Sequence, residues 1–142
     1  MTYNQVSKTL RDLLESHAMI KTVKSDTPQE WIKSDEYVFP MALYSIGNGS
    51  LNLGREQVYT IDLWFLDKSG QEGEFEEEVI SDQLSICADI VSKLRLSSNP
   101  YTIDTDVTWQ SVRDKFEDYM AGVQIQINLS TKSDFDACDF PT

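Results

Sequence analysis

The chain has 142 residues, of which 40% are hydrophobic and 11% aromatic, so we expect one folded domain and exclude a disordered chain. Its 24 acidic and 12 basic residues give a net charge of −12, which argues against direct binding of nucleic-acid backbones. That charge leaves three interpretations: plain solubility, a basic partner, or a surface that repels nucleic acid.

The location of the protein is predicted from two missing sequence features. No apolar run reaches the roughly 20 residues that a membrane-spanning helix needs. The first residues also lack the basic and then apolar pattern of a signal peptide. We therefore expect the protein to be made and kept in a cytoplasm, or released only by lysis, without contact to a membrane.

The first predicted element is a helix over residues 4–20, in which apolar residues recur at spacings of three and four. Thr2 or Asn4 is the predicted N-cap. His17, the only histidine, is expected to be a boundary residue of this helix rather than a base or ligand. Residues 21–35 predict a short strand followed by a loop.

A long antiparallel hairpin is predicted over residues 37–66, with its tip near residues 47–55. The sequence Gly47-Asn48-Gly49-Ser50 is typical of a turn, and residues 56–67 alternate as a strand does. Leu51 and Leu53 lie in the tip. If they are exposed there, they form a contact site for another subunit; if the tip is a longer loop, they are buried.

The second half of the chain predicts a helix over residues 74–96, a strand over 101–109, a charged connection over 110–119 and a last strand over 123–130. Glu74 and the acidic residues 76–78 open this helix, where carboxylates in the first turn favour the helix dipole and stay solvated rather than form a metal or acidic-substrate site. Cys87 is expected in the core. In the last strand one side is apolar and the other carries Gln124, Gln126 and Asn128.

This order of elements predicts an α+β fold: a mostly antiparallel sheet with a long β-hairpin and two amphipathic helices packed on one face. Residues 1–142 are expected to form a single domain, with residues 134–142 as a C-terminal tail. This tail either docks on another chain or is a disordered terminus.

Signatures of catalysis are nearly absent, so we expect no enzyme, no cofactor and no metal. The chain has no phosphate-binding loop, no GxSxG and no Cys/His cluster, and its two cysteines do not make a disulfide framework. Asp104 and Asp106, or the aspartates of the tail, could hold a calcium ion only loosely, because the spacing of a calcium hand is missing.

The end of the chain resembles a known family. The run "KFEDYMAG" (115–122), followed by the alternating strand and a tail ending "CDFP", is similar to the end of small bacteriophage head–tail connector proteins, the tail-terminator or tail-completion proteins. Asp118, Ala121 and Gly122 match the motif that introduces their last strands. The order of elements matches from about residue 4 to residue 140, and variants from crAss-like phages are among those that it resembles.

The sequence departs from this family at residues 108–117, which are long and charged where a terminator often has a tight turn. Whether it resembles a terminator proper or a neck ring protein is therefore open. The resemblance implies a virion protein, assembled in the host cytoplasm, that forms a six-fold or twelve-fold ring between portal or adaptor and tail. DNA would pass through the lumen without specific binding.

The resemblance also implies where contacts lie. Subunit contacts are expected at the hairpin tip and in the tail, at Leu51, Leu53, Arg55, Phe135, Phe140 and Pro141. Gln124, Gln126 and Asn128 are expected to face the lumen or a neighbouring subunit. The alternative function is a small acidic inhibitor or immunity-type module that binds a basic protein, and an enzyme with an unrecognised site ranks last.

Overall fold

The computed structural model describes residues 1–25, 38–52, 56–70, 75–113 and 120–132. Within these ranges the chain forms two helices and six strands, which are α1 (Tyr3–Ser16), β1 (Thr22–Lys24), β2 (Met41–Asn52), β3 (Glu56–Lys68), α2 (Glu76–Leu94), β4 (Thr102–Ile103), β5 (Trp109–Arg113) and β6 (Met120–Lys132). β1 pairs with β2 in parallel, and every other pairing among these strands is antiparallel. The predicted α+β class with a mostly antiparallel sheet is confirmed.

The three long strands form the centre of the sheet, in the order β2, β3, β6. β6 pairs with β3 along its whole length, from Met120 opposite Lys68 to Lys132 opposite Glu56. β4 and β5 both pair with the other edge of β6, and β1 covers one end of β2. The long hairpin expected from the sequence is therefore β2–β3, and the last strand lies inside the sheet rather than at its edge.

Helix α1 starts as the sequence predicts, with Thr2 as its N-cap. The Gln5 backbone N–H donates to Thr2 Oγ1 at 3.2 Å, and the Thr2 N–H donates to Gln5 Oε1 at 2.8 Å, which makes a capping box. The helix ends at Ser16, earlier than predicted, because His17 adopts an extended backbone conformation. Its buried residues Val6, Leu10 and Leu14 follow the helical spacing of the sequence.

The main core contains the alternate residues of β3 and β6 that the period-2 pattern assigns to one side. Buried residues of both helices belong to the same apolar cluster, whose strand members include Tyr44, Tyr59, Ile61, Leu63, Phe65, Val123, Ile125, Ile127 and Leu129. This membership agrees with the predicted arrangement of both helices over one face, which itself stays a prediction. Neither helix in the described ranges has the length and apolarity to cross a membrane.

The opposite face of the sheet has a smaller apolar cluster at one end only. Met41, Leu43, Leu66, Val112 and Met120 are buried there, with Phe39 and Trp64 partly buried against them. Further along β3 and β6 the residues on this face are mainly polar, with Val58 as an apolar exception, so an apolar end is followed by a polar stretch. We call the polar stretch, formed by Thr60, Asp62, Gln124, Gln126 and Asn128, the polar face.

The predicted turn at Gly47–Ser50 is wrong. These residues belong to β2, which stays paired with β3 as far as Asn52 opposite Glu56. A register shift between Ile46 and Asn48 accommodates the extra residue as a β-bulge. Local glycine and asparagine content favoured a turn, but continuous backbone pairing with β3 outweighs it.

The prediction for residues 101–119 is also corrected. The single strand expected over 101–109 is two separate strands, because β4 ends at Ile103 and β5 begins at Trp109. Part of the predicted charged connection is β5, which pairs with β6 from Arg113 opposite Ala121 to Trp109 opposite Ile125. Arg113 also donates to Glu76 Oε1 at 2.9 Å, so an exposed charge ties β5 to the first turn of α2.

Gly122 is needed where β6 crosses close to β3. A Cβ at this position would collide with the carbonyl oxygen of Phe65, which is backbone and has little freedom to move. We expect Gly122→Ala to lower the free energy of unfolding by about 1–3 kcal/mol, measured by urea denaturation. The control is Gly47→Ala in β2, where a Cβ meets no atom within 4 Å.

For this control we expect a change of under about 1 kcal/mol in the stabilising direction, because alanine lowers the entropy of the unfolded chain. Equal losses in both variants would show that the close approach at Gly122 is not the cause.

Candidate functional site

The candidate site is the polar face, and its centre is the row of amides on β6. Gln126 and Asn128 are exposed and Gln124 is half-buried, whereas the alternating residues from Val123 to Leu129 are buried. On β3 the residues opposite the three amides are Trp64, Asp62 and Thr60. β3 pairs with β6 beside all three amides, and β5 pairs with the other edge of β6 at Gln124, so the amides lie in the surface of a sheet rather than on a free strand.

Hydrogen bonds fix the direction of two of these amides. The Gln126 side chain donates through Nε2 to Asp62 Oδ1 at 3.2 Å. Asn128 donates through Nδ2 to Asp104 Oδ2 at 3.2 Å and accepts at Oδ1 from the Thr60 hydroxyl at 2.8 Å. The NH₂ groups therefore point at carboxylates.

Asp104 fills a gap in the sheet. β4 pairs with Ser130 and Leu129 and β5 pairs with residues from Ile125 down to Ala121, so neither strand reaches the stretch of β6 between them. Asp104 Oδ2 accepts the backbone N–H of Asn128 there, at 3.1 Å. The Asp104 carboxylate thus accepts the hydrogen bond that the backbone carbonyl of a neighbouring strand would otherwise accept, because the Asn128 N–H needs an acceptor.

The sequence suggested Asp104 only as a weak calcium ligand, and it did not predict that Asp104 accepts hydrogen bonds from Asn128. The two residues are 24 positions apart, and only the register of β4 on β6 brings them together. Asp62 and Thr60 were missed for the same reason. An alternating strand predicts which side chains share a face, but not which strand lies beside it.

Next to the gap lies a polar cleft of about 260 Å³, lined by Asp62, Thr108, Gln110, Gln124, Ile125 and Gln126. None of these residues is basic, and the one charge is the Asp62 carboxylate. The cleft is suited to water and neutral polar groups, and it offers no cation for a phosphate.

The hairpin end is the second predicted contact region, and only part of it lies in the described ranges. Leu51 is 80% exposed, the highest exposure of any large apolar residue that the structure describes. It borders a shallow groove of about 350 Å³ that also includes Tyr3, Ile46 and Tyr59. Leu53 and Arg55 lie outside the described residues.

The remaining predicted positions divide into buried and undescribed ones. Ala121 and Gly122 of the family motif are buried where β6 enters the sheet. Asp118 of that motif and the tail residues Phe135, Phe140 and Pro141 lie outside the described part of the chain. The structure thus brings Gln124, Gln126 and Asn128 into one site, and Leu51 lies at the far end of the β2–β3 hairpin.

The histidine and the described cysteine both have structural surroundings. His17 accepts the Met19 backbone N–H at Nδ1, at 3.1 Å, which leaves Nε2 to donate to Asp89 Oδ2 at 2.9 Å. Both ring nitrogens are occupied, and the ring joins the end of α1 to α2. Cys87 is buried, and burial raises the pKa of its thiol to about 12, so a reactive thiolate is not formed near neutral pH.

The comparisons with known proteins do not assign the chain to a group. No family model matches the sequence, and no curated protein matches it either. Among the residues that the structure describes, no three His, Cys, Asp or Glu side chains are grouped closely enough to hold a metal ion. The polar face is therefore interpreted from its own geometry.

The Asp104 contacts yield a direct stability prediction. We expect Asp104→Ala to lower the free energy of unfolding by about 1–2 kcal/mol, because it removes two hydrogen bonds and leaves the Asn128 N–H without its acceptor. The matched control is Asp106→Ala, which removes an exposed carboxylate from the same loop.

We expect the control to change the free energy of unfolding by less than about 0.5 kcal/mol. Chemical denaturation of both variants measures the difference. If Asp106→Ala costs as much as Asp104→Ala, the loop as a whole matters and the gap-filling role of Asp104 is wrong.

Proposed function

We propose that this chain is a structural virion protein that forms a ring at a phage head–tail junction, as a neck or tail-terminator subunit. The ring joins the portal or adaptor to the tail and lets DNA pass through its lumen. The observation that carries this proposal is the polar face, a hydrogen-bonded group of amides, hydroxyl and carboxylate with no basic side chain among its five members. The exposed Lys132 lies on the same side of β6, four positions beyond Asn128 and opposite Glu56.

A surface over which DNA slides must not hold phosphates. Proteins bind the DNA backbone mainly through Lys and Arg, with amide and hydroxyl donors adding to the contact. Here the amide donors of Gln126 and Asn128 are already directed at the Asp62 and Asp104 carboxylates. These two carboxylates also repel phosphate, so both geometry and charge oppose adsorption.

A ring needs two different subunit surfaces that meet head to tail. The hairpin end supports this requirement. β2 has 12 residues and β3 has 13, and their outer halves carry the exposed Leu51. The Asp118–Gly122 motif resembles that of terminator and connector proteins, which also supports the proposal. Within this motif, Gly122 is glycine because a Cβ would collide with the Phe65 carbonyl.

The proposed role of the polar face can be tested by placing positive charges on it. We expect Gln124→Lys/Gln126→Lys/Asn128→Lys to remain folded, with the small loss of stability that follows from the broken Asn128 contacts. In phage particles it should lower genome delivery by about tenfold or more, because three ammonium groups would bind passing phosphates. The control replaces the same three residues with Glu.

The Glu control should fold and leave genome delivery close to that of the wild type, because added negative charge does not bind phosphate. Circular dichroism measures folding, and infectious titre with packaged DNA per particle measures passage. Wild-type delivery by the Lys variant would contradict the proposed lumenal role of this face.

The location is tested independently by finding the protein in purified particles. We expect mass spectrometry to detect it in intact virions, and immunogold labelling to place it at the head–tail junction. Its absence from virions overturns the proposal. A stable 1:1 complex with a basic protein, without self-assembly, would favour the acidic inhibitor instead.

A further inference from the structure

The turn between α1 and β1 is held by two contacts to one residue, His17. Its carbonyl accepts the Ile20 backbone N–H at 3.2 Å, and its ring nitrogen Nδ1 accepts the Met19 backbone N–H at 3.1 Å. Asn and Asp side chains often accept the N–H two residues further on in the same way, in an Asx-turn. Here the acceptor is an imidazole nitrogen, which can take up a proton.

The two contacts of the His17 ring require one protonation state. A backbone N–H only donates, so Nδ1 carries no proton while it accepts from Met19. Nε2 lies 2.9 Å from Asp89 Oδ2, and an ionised carboxylate only accepts. The neutral ring with its proton on Nε2 therefore satisfies both contacts. A ring protonated on both nitrogens keeps the Asp89 contact and loses the Met19 contact.

Solvent reaches this ring without any change in the fold. The His17 side chain is 16% exposed and that of Asp89 is 68% exposed. The ring lines a groove of about 560 Å³ between the ends of α1 and α2. A proton can therefore be taken from water while the ring stays in place.

The charged groups around the ring come from α2 and from the turn itself. On α2, Asp89 accepts from Nε2 and Lys93 lines the same groove. In the turn, Lys21 Nζ donates to the Ala18 carbonyl at 3.3 Å. Asp89 attracts a positive ring, and the two ammonium groups repel it. Because Asp89 is bound at Nε2 and ammonium groups only donate, none of the three accepts a proton placed on Nδ1.

We propose that the turn after α1 is a proton-sensitive device, closed by neutral His17 through Met19 and opened by protonation of Nδ1. The proton comes from solvent and forms the Nδ1–H bond, and the hydrogen bond from the Met19 N–H breaks. Met19 is 56% exposed, so water takes up the released N–H. The inference goes beyond the proposed function and does not depend on it.

The opening is confined to the turn. The buried residues of α1 are Val6, Leu10 and Leu14, all before the turn, and Nε2 still donates to Asp89 after Nδ1 is protonated. Beyond the turn, the Lys21 N–H donates to the Pro40 carbonyl at 2.7 Å, which holds the start of β1. Protonation thus loosens the link between α1 and β1 and leaves both elements in place.

Nuclear magnetic resonance of the full chain labelled with ¹⁵N tests the device. The sequence has one histidine, so the ring signals belong to His17. Histidines commonly change charge between about pH 5 and 8, which sets the range of the titration. At the upper end we expect ring nitrogen shifts typical of the Nε2–H tautomer, and a scalar coupling between the Met19 amide nitrogen and Nδ1 across their hydrogen bond. The coupling should be lost as the ring gains its second proton, and the Met19 amide shift should follow the same curve.

Two variants separate the ring from other pH effects. In His17→Asn the side-chain oxygen accepts the Met19 N–H as in an Asx-turn, and it does not titrate. We expect the Met19 amide of this variant to stay protected from hydrogen exchange over the whole range, after correction for pH. In His17→Ala the acceptor is missing, so the same amide should lack this protection at every pH.

Five results overturn the inference. The neutral ring carries its proton on Nδ1, or the ring takes up no second proton while the chain is folded. The Met19 signal stays unchanged while the ring titrates. His17→Asn shows the pH dependence of the wild type, or His17→Ala keeps the Met19 amide protected. If His17→Ala does not fold, the wild type and His17→Asn decide between the remaining results.

Discussion

The pairing of β6 with β3 is the constraint on which the other features depend. It runs through 13 residue pairs without a register shift, and it buries alternate residues of both strands in the main core. Because side chains alternate with period two, a slip of one residue would move the apolar row of β6 to the polar face. The amides of β6, the gap that Asp104 fills and the close approach at Gly122 all follow from this register.

The residues that line the polar cleft and those that line the groove at the hairpin end have one property in common, which is that none of them is basic. On the polar face the carboxylates take up the amide donors, so the surface is hydrated and repels phosphate. The residues that line the groove at the hairpin end carry no charge of either sign.

Local sequence predicted well where one pattern dominated. Thr2 with Gln5 fixed the start of α1, and strict alternation identified β3 and β6 with their buried faces. It failed where pairing with a distant strand outweighed local preference. Gly47-Asn48-Gly49-Ser50 favoured a turn, but pairing with β3 keeps these residues in β2. Residues 110–113 were expected in a charged connection, but they pair with the edge of β6 as part of β5.

The sequence by itself determined the α+β class, the helix cap, the apolar rows and the amide row on β6, because each depends on neighbours only a few residues away. Only the tertiary structure decided that β6 is internal, that Asp104 accepts the Asn128 N–H, and that Gly122 lies against the Phe65 carbonyl. These facts depend on which strands lie side by side. Which strands lie side by side depends on burying the apolar face of the whole sheet, so it cannot be predicted from a local sequence pattern.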